Sequence, residues 1–173
     1  TGIEPTIRAV KFGKEKLNID LINGDFLEYD FGEKKFDVIT MIGVLAHLYS
    51  PDEVIKKINS LLNINGILII ITPDFNCFFS KLLKNKWRSI CFMVLNYFTE
   101  KTLTKLLEKN NFSIITKQKG FKKYYSINFL LTQINIKNKF LLNIKEIINK
   151  NWIAQLTLGV NLFEHICIIS RKK

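Results

Sequence analysis

Cysteine, histidine, proline and glycine are all scarce in this chain of 173 residues, numbering three, two, three and eight. Cys77, Cys91 and Cys167 are far apart, odd in number and without a CxxC pair or a His/Cys ligand spacing. Neither a disulfide framework nor a metal site is indicated, and a reducing, cytoplasmic setting fits. The longest apolar run, GILIIIT from Gly66 to Thr72, is far too short to span a bilayer, and no signal peptide is visible. The glycines stand singly: Gly2, Gly13, Gly24, Gly32, Gly43 and Gly66 fall among turns, and none forms a GxGxxG-like cluster.

What the chain does have is apolar bulk and positive charge. Hydrophobic residues make up 47% and aromatic residues 12%, so a globular domain with its own core is expected over 1–173, and disorder is not. The net charge of +11 comes from 26 Lys+Arg against 15 Asp+Glu. Such an excess suits an anionic partner, nucleic acid or a phospholipid surface. Lysine is nevertheless spread from end to end beside abundant Asn and Ile, as a biased genome would leave it, and not gathered into a patch.

Strand and helix signals alternate through the first two thirds, the pattern of βα units around a parallel sheet. TGIEPT, Thr1 to Thr6, reads as the end of a strand entering a helix, with Pro5 in the first turn. NIDLI, Asn18 to Ile22, is a short strand followed by NGDF. FDVITMI, Phe36 to Ile42, is a nearly continuous apolar run of the kind buried on both faces. In SPDE, Ser50 is read as a cap, Pro51 as the first helical residue and Glu53 as the partner in a capping box. Val54, Ile55, Ile58, Leu61 and Leu62 then form the apolar stripe of a helix running to about Asn63. A glycine turn and a buried strand follow, ended by Pro73.

Beyond Pro73 the signals predict a helix over Phe75 to Leu83 and an apolar stretch of undefined form from Trp87 to Phe98. A helix capped by Thr99, with apolar residues at Leu103, Leu106 and Leu107, leads to a strand over Asn110 to Gln118. Apolar and Lys residues interleave at helical spacing from Tyr124 to Lys150, and EHICIIS, Glu164 to Ser170, supplies a last strand.

Two acids follow successive strands. Glu4 lies just past a strand end, in the crevice where open α/β sheets bind ligands, and its carboxylate can accept hydrogen bonds from vicinal ribose hydroxyls. The other reading is a solvated acid at a helix N-terminus. Asp25 follows the next strand and can accept from an adenine amino group while Phe26 covers the ring; the other reading is an Asx turn after Gly24.

GIEPT, NGDF, FDVITMIGVLAHLYSPDEVIKKINSLLNINGILIIITPD and LNYFTEKTLTKLLEKNNFSI resemble, in that order and spacing, class I S-adenosylmethionine-dependent methyltransferases. The likeness is greatest to the small-molecule branch that includes quinone O-methyltransferases and surface-sugar enzymes. It covers Thr1 to about Gln118, and EHICIISRK is similar to the antiparallel last strand of that fold. The resemblance implies a Rossmann-like, doubly wound, mostly parallel sheet, with 1–74 on the cofactor side and 75–173 on the acceptor side.

Several site roles follow from the resemblance. S-adenosyl-L-methionine is the implied cofactor, held by Glu4, Pro5, Asp25, Phe26 and Ile42. His47 is implied beside a small-molecule acceptor, where an imidazole can take the proton of the attacking hydroxyl. Gly43 and Ala46 stand where related quinone enzymes carry acids, which removes groups that could orient this histidine or hold a metal. The family's first strand and Gly-rich loop precede the position of Thr1. The chain therefore reads as an N-terminally truncated methyltransferase with low affinity for the cofactor, or as a non-catalytic remnant or binding module.

Two further features concern partners. There is no Asn/Asp-Pro-Pro-aromatic loop and no Pro-Cys nucleophile, which argues against nucleic acid as substrate despite the charge. KNKFLLNIKEIINK, Lys137 to Lys150, has the pattern of a basic amphipathic helix, suited either to a membrane surface or to covering the domain.

Overall fold

The computed structural model describes residues 1–87, 89–120, 122–126, 156–161 and 164–173. Strand β1 (Gly2–Glu4) leads into helix α1 (Ile7–Leu17) and strand β2 (Leu21–Asn23). Strand β3 (Phe36–Ile42) is followed by a 3-10 turn, Leu45–His47, and helix α2 (Pro51–Leu61). Strand β4 (Leu62–Pro73), helix α3 (Phe78–Leu83), a second 3-10 turn, Lys84–Lys86, and helix α4 (Glu100–Lys109) come next. Strands β5 (Phe112–Lys119), β6 (Lys122–Ser126), β7 (Thr157–Asn161) and β8 (His165–Lys172) complete the described elements.

The strands form three groups. β1 and β2 pair in parallel, with Gly2 opposite Leu21 and Glu4 opposite Asn23. A four-stranded sheet has the order β3-β4-β8-β5, in which β3 and β4 are parallel and β8 runs antiparallel to both of its neighbours. β6 and β7 form a separate antiparallel pair. The mixed sheet with an antiparallel strand near its end is the Rossmann-like arrangement expected from the sequence.

Apolar periodicity decides the core. Val54, Ile55, Ile58 and Leu61 on α2 are buried, as are Leu103 and Leu107 on α4. All of these except Leu61 pack with Leu68 and Ile70 of β4, Phe112 of β5, and Ile166 and Ile168 of β8 in one cluster. Each fully buried Leu or Ile side chain contributes about 1.5–3 kcal/mol through area removed from water. Thr99 caps α4 as predicted: its hydroxyl accepts from Thr102 N at 3.2 Å while Thr102 Oγ1 accepts from Thr99 N at 2.9 Å. At Gly13, α1 approaches β2 closely enough that an added Cβ would meet the terminal methyl of Leu21, which would have to shift.

Four expectations need correction. Ser50 precedes α2 but its side chain makes no capping bond; its ψ of 71° lies outside the extended range that aims a capping oxygen at the first turn. The second strand begins at Leu21, because Asn18 takes the left-handed conformation that stops α1. β3 is not buried on both faces: Val38 is 53% exposed and Ile42 65%, since β4 is its single strand partner among the described residues. Tyr124 to Ser126 belong to strand β6, paired with Leu158 and its neighbours, and do not begin a helix. The remainder of that expected helix, including the basic stretch at 137–150, lies outside the described residues. Among the described residues no helix is long and apolar enough to cross a membrane.

Candidate active site

One cavity of about 720 Å3 opens between β1 and β3. Its walls include Thr1 to Pro5 from β1 and the turn after it, Gly24 to Leu27 after β2, and Val38 to Met41 of β3. Gly43, Val44 and His47 to Tyr49 close one end, and Val54, Ile58 and Leu61 of α2 supply an apolar wall. Among the described residues β1 pairs with β2 alone and β3 with β4 alone. Each therefore presents one strand edge unpaired by any described strand.

The two acids reach this cavity from adjacent strands. Asn23 binds the end of β1, donating from Nδ2 to Glu4 O at 3.1 Å and to Pro5 O at 2.9 Å. Glu4 Oε1 accepts from Thr6 N at 2.9 Å at the entrance to α1. Asp25 Oδ1 accepts from Leu27 N at 2.7 Å, which is an Asx turn. The local roles foreseen for both acids are thus occupied, yet each carboxylate keeps its second oxygen, and both residues line the cavity. Their placement puts acceptor-only groups at neighbouring strand ends, where the hydroxyl and amino donors of a nucleoside can be matched.

Phe26 is half-buried and its setting involves a residue the sequence reading missed. Lys57 of α2 donates to Leu27 O at 2.7 Å and to Tyr29 O at 2.8 Å. The same ammonium lies 5.7 Å from the Phe26 ring centroid and 5.6 Å from that of Phe31, within cation–π range. Lys57 thereby fixes the loop carrying Asp25 and Phe26. In sequence it is one lysine among many on a helix, and the carbonyls that it meets carry no side-chain signature.

His47 sits on the 3-10 turn at the cavity's end. Its Nδ1 is 2.7 Å from Met93 O. A carbonyl only accepts, so in the neutral ring Nδ1 carries the proton and Nε2 is left as an acceptor. Leu95 N and Asn96 N both donate to Ala46 O, at 2.9 and 3.0 Å, and Asn96 Nδ2 donates to Leu48 O at 2.6 Å. These bonds fasten residues 93–96 to the turn and orient the imidazole without a carboxylate. Gly43, with φ of 69°, ends β3 in the left-handed region and lets the chain turn toward Leu45.

Other predicted residues fall differently. Pro5 lines the cavity, whereas Ile42 ends β3 exposed and is not among the lining residues. A separate void of about 10 Å3 has Trp87, Tyr97 and Phe98 around it, with Phe75 and Asn96. That is room for one water. Trp87 is buried beside it, and its Nε1 has no hydrogen-bond partner among the described residues. Phe92, in the same apolar stretch from Trp87 to Phe98, stands in solvent.

The family profile described as a methyltransferase domain matches residues 2–117. The chain belongs to this methyltransferase family. Solved structures agree on the fold. An S-adenosylmethionine-dependent methyltransferase from Thermotoga maritima superposes with a TM-score of 0.64 at 18% identity, covering 99% of this chain and 72% of that one. Another S-adenosylmethionine-dependent methyltransferase, from Archaeoglobus fulgidus, gives 0.62 at 19% identity, covering 99% and 75%. One from Methanosarcina mazei gives 0.64 at 14%, covering 99% and 80%. No curated protein matches the chain.

Family and fold together imply S-adenosylmethionine as the cofactor. The residues present fit its nucleoside part. The cavity has the volume of a cofactor site, and two carboxylates and a half-buried aromatic ring stand at the ends of β1 and β2. Its lining glycines, Gly2, Gly24 and Gly43, are isolated from one another, so they do not make a continuous backbone cradle.

Proposed function

We propose that this chain serves transfer of a methyl group from S-adenosylmethionine to an oxygen or nitrogen atom of a small molecule, a lipid intermediate or a sugar intermediate. The observation that supports this reading is the convergence of Glu4, Asp25, Phe26 and His47 on one cavity from three separate parts of the chain. Glu4 and Asp25 would hold the ribose and adenine through their second oxygens, and Phe26 would cover the base. When bound, the cofactor supplies a methyl group already activated as a sulfonium, so alignment in a dry site provides much of the acceleration. Val54, Ile58 and Leu61 exclude water from one wall. His47, with Nδ1 bonded to Met93 O, offers Nε2 to receive the proton of the acceptor.

Nuclear magnetic resonance titration with S-adenosylmethionine, carried well above micromolar concentration, tests the assignment. Amide shifts should move at the ends of β1 and β2, and Glu4→Ala should weaken the interaction by about 1.5–3 kcal/mol, the worth of charge-assisted hydrogen bonds. Unchanged affinity in that variant would place the ribose elsewhere and overturn the role of Glu4.

A further inference from the structure

From Phe75 to Thr99 the chain contains Lys81, Lys84, Lys86 and Arg88 and no Asp or Glu at all. The same stretch exposes large apolar side chains. Phe78 is 68% exposed, Leu82 61% and Phe92 92%, with Leu83, Met93 and Leu95 also in solvent. Phe78 and Leu82 are four residues apart on α3 and share one face of it. Lys81 and Lys84 are exposed beside them and make no ion pair among the described residues.

The acids that flank the stretch are engaged elsewhere. Asp74 is buried, 3.6 Å from the ammonium of Lys119, and Glu100 lies 3.3 Å from Lys119 and 3.7 Å from Lys117. The charges of Lys81 and Lys84 are therefore left without an ion-pair partner among the described residues, available to an outside partner. Apolar side chains standing in water next to unneutralised lysines match the boundary of a bilayer, where the former enter the acyl region and the latter meet anionic headgroups.

We propose that the Phe75–Thr99 segment docks the protein on an anionic phospholipid surface. Leu82, Phe92 and their neighbours insert shallowly, and Lys81 and Lys84 contact lipid phosphates. Through Met93 O on His47 and Ala46 O on Leu95 and Asn96, the surface is joined directly to one end of the cavity. A molecule partitioned in the membrane would be presented there. The docking itself is independent of methyl transfer.

Co-sedimentation with phosphatidylcholine vesicles, with and without phosphatidylglycerol, provides the test. Binding is expected only to the anionic vesicles and should weaken with added salt. Lys81→Glu with Lys84→Glu should lower it by about tenfold or more, as should Leu82→Glu with Phe92→Glu. The charge-matched control, Lys14→Glu with Lys16→Glu on the exposed side of α1, should retain full binding, and circular dichroism should show every variant folded. Equal loss in the control would assign binding to the overall charge of +11 and overturn the proposal. So would a stable dimer that the Leu82 and Phe92 substitutions dissociate, without any vesicle binding.

Discussion

Asp52 occupies the first turn of α2 and accepts from three donors: Lys56 Nζ at 2.7 Å, Lys109 Nζ at 3.0 Å and Asn110 Nδ2 at 3.0 Å. The hydrogen bond from Lys56, then those from Asn110 and Lys109, hold its carboxyl well below the usual carboxylate range. Because the folded-state pKa is depressed, its contribution to stability is present above the ordinary value of about 3.9 and lost as pH falls below it. Asp52→Asn should therefore lower the urea midpoint near neutrality, and the gap to the parent should close on acidification and shrink in salt. A gap independent of pH would show that the ion pairs contribute nothing. The sequence marked this turn through Ser50 and Glu53. The connection that matters runs instead to Lys109 and Asn110, on an element remote in sequence, and such partners leave no local pattern to read.

Helices show where local chemistry is legible and where it stops. Both Ser50 and Thr99 precede an apolar periodic run, and both read as caps. Only Thr99 has the extended backbone, φ −111° and ψ 163°, that turns its hydroxyl toward the third helical amide; Ser50 does not. Thr99→Ala should cost about 1 kcal/mol of stability. Ser50→Ala should change it by no more than a few tenths, within the usual range of a surface substitution. Thermal or urea unfolding of the pair distinguishes them, and equal losses would mean that Ser50 caps α2 in solution. Strands follow the same rule. The apolar run Phe36 to Ile42 correctly located β3, but whether a strand has one neighbour or two depends on the rest of the sheet. The two acids of the cavity were legible because each stands at a strand end, Glu4 as the last residue of β1 and Asp25 two residues past β2. Lys57, which fixes the loop between them and the core, was not, because it acts on main-chain carbonyls.

At the scale of the molecule, the unit built from β1, α1 and β2 shares no strand pairing with the four-stranded sheet among the described residues. Its connection runs through the loop before β3. Phe31 meets Phe26, Tyr29 and Phe36 at ring-centroid separations of 5.7, 4.9 and 6.1 Å, and Lys57 binds two carbonyls of the same loop. β4 and β8, by contrast, are central strands paired on both sides and carry fully buried Leu68, Ile70, Ile166 and Ile168. Opening of the first unit should therefore require less free energy than global unfolding. Hydrogen exchange should be faster at Gly2–Glu4 and Leu21–Asn23 than in β4 and β8. Lys57→Met keeps much of the aliphatic stem but removes both hydrogen bonds to Leu27 O and Tyr29 O. It should speed exchange in the first unit by about tenfold or more, the equivalent of one charged hydrogen bond, with a smaller change in the central strands. Equal protection of β1, β2, β4 and β8 in the parent chain would mean that the two parts open as one, and that the cavity between them is held by more than Lys57 and the phenylalanine cluster.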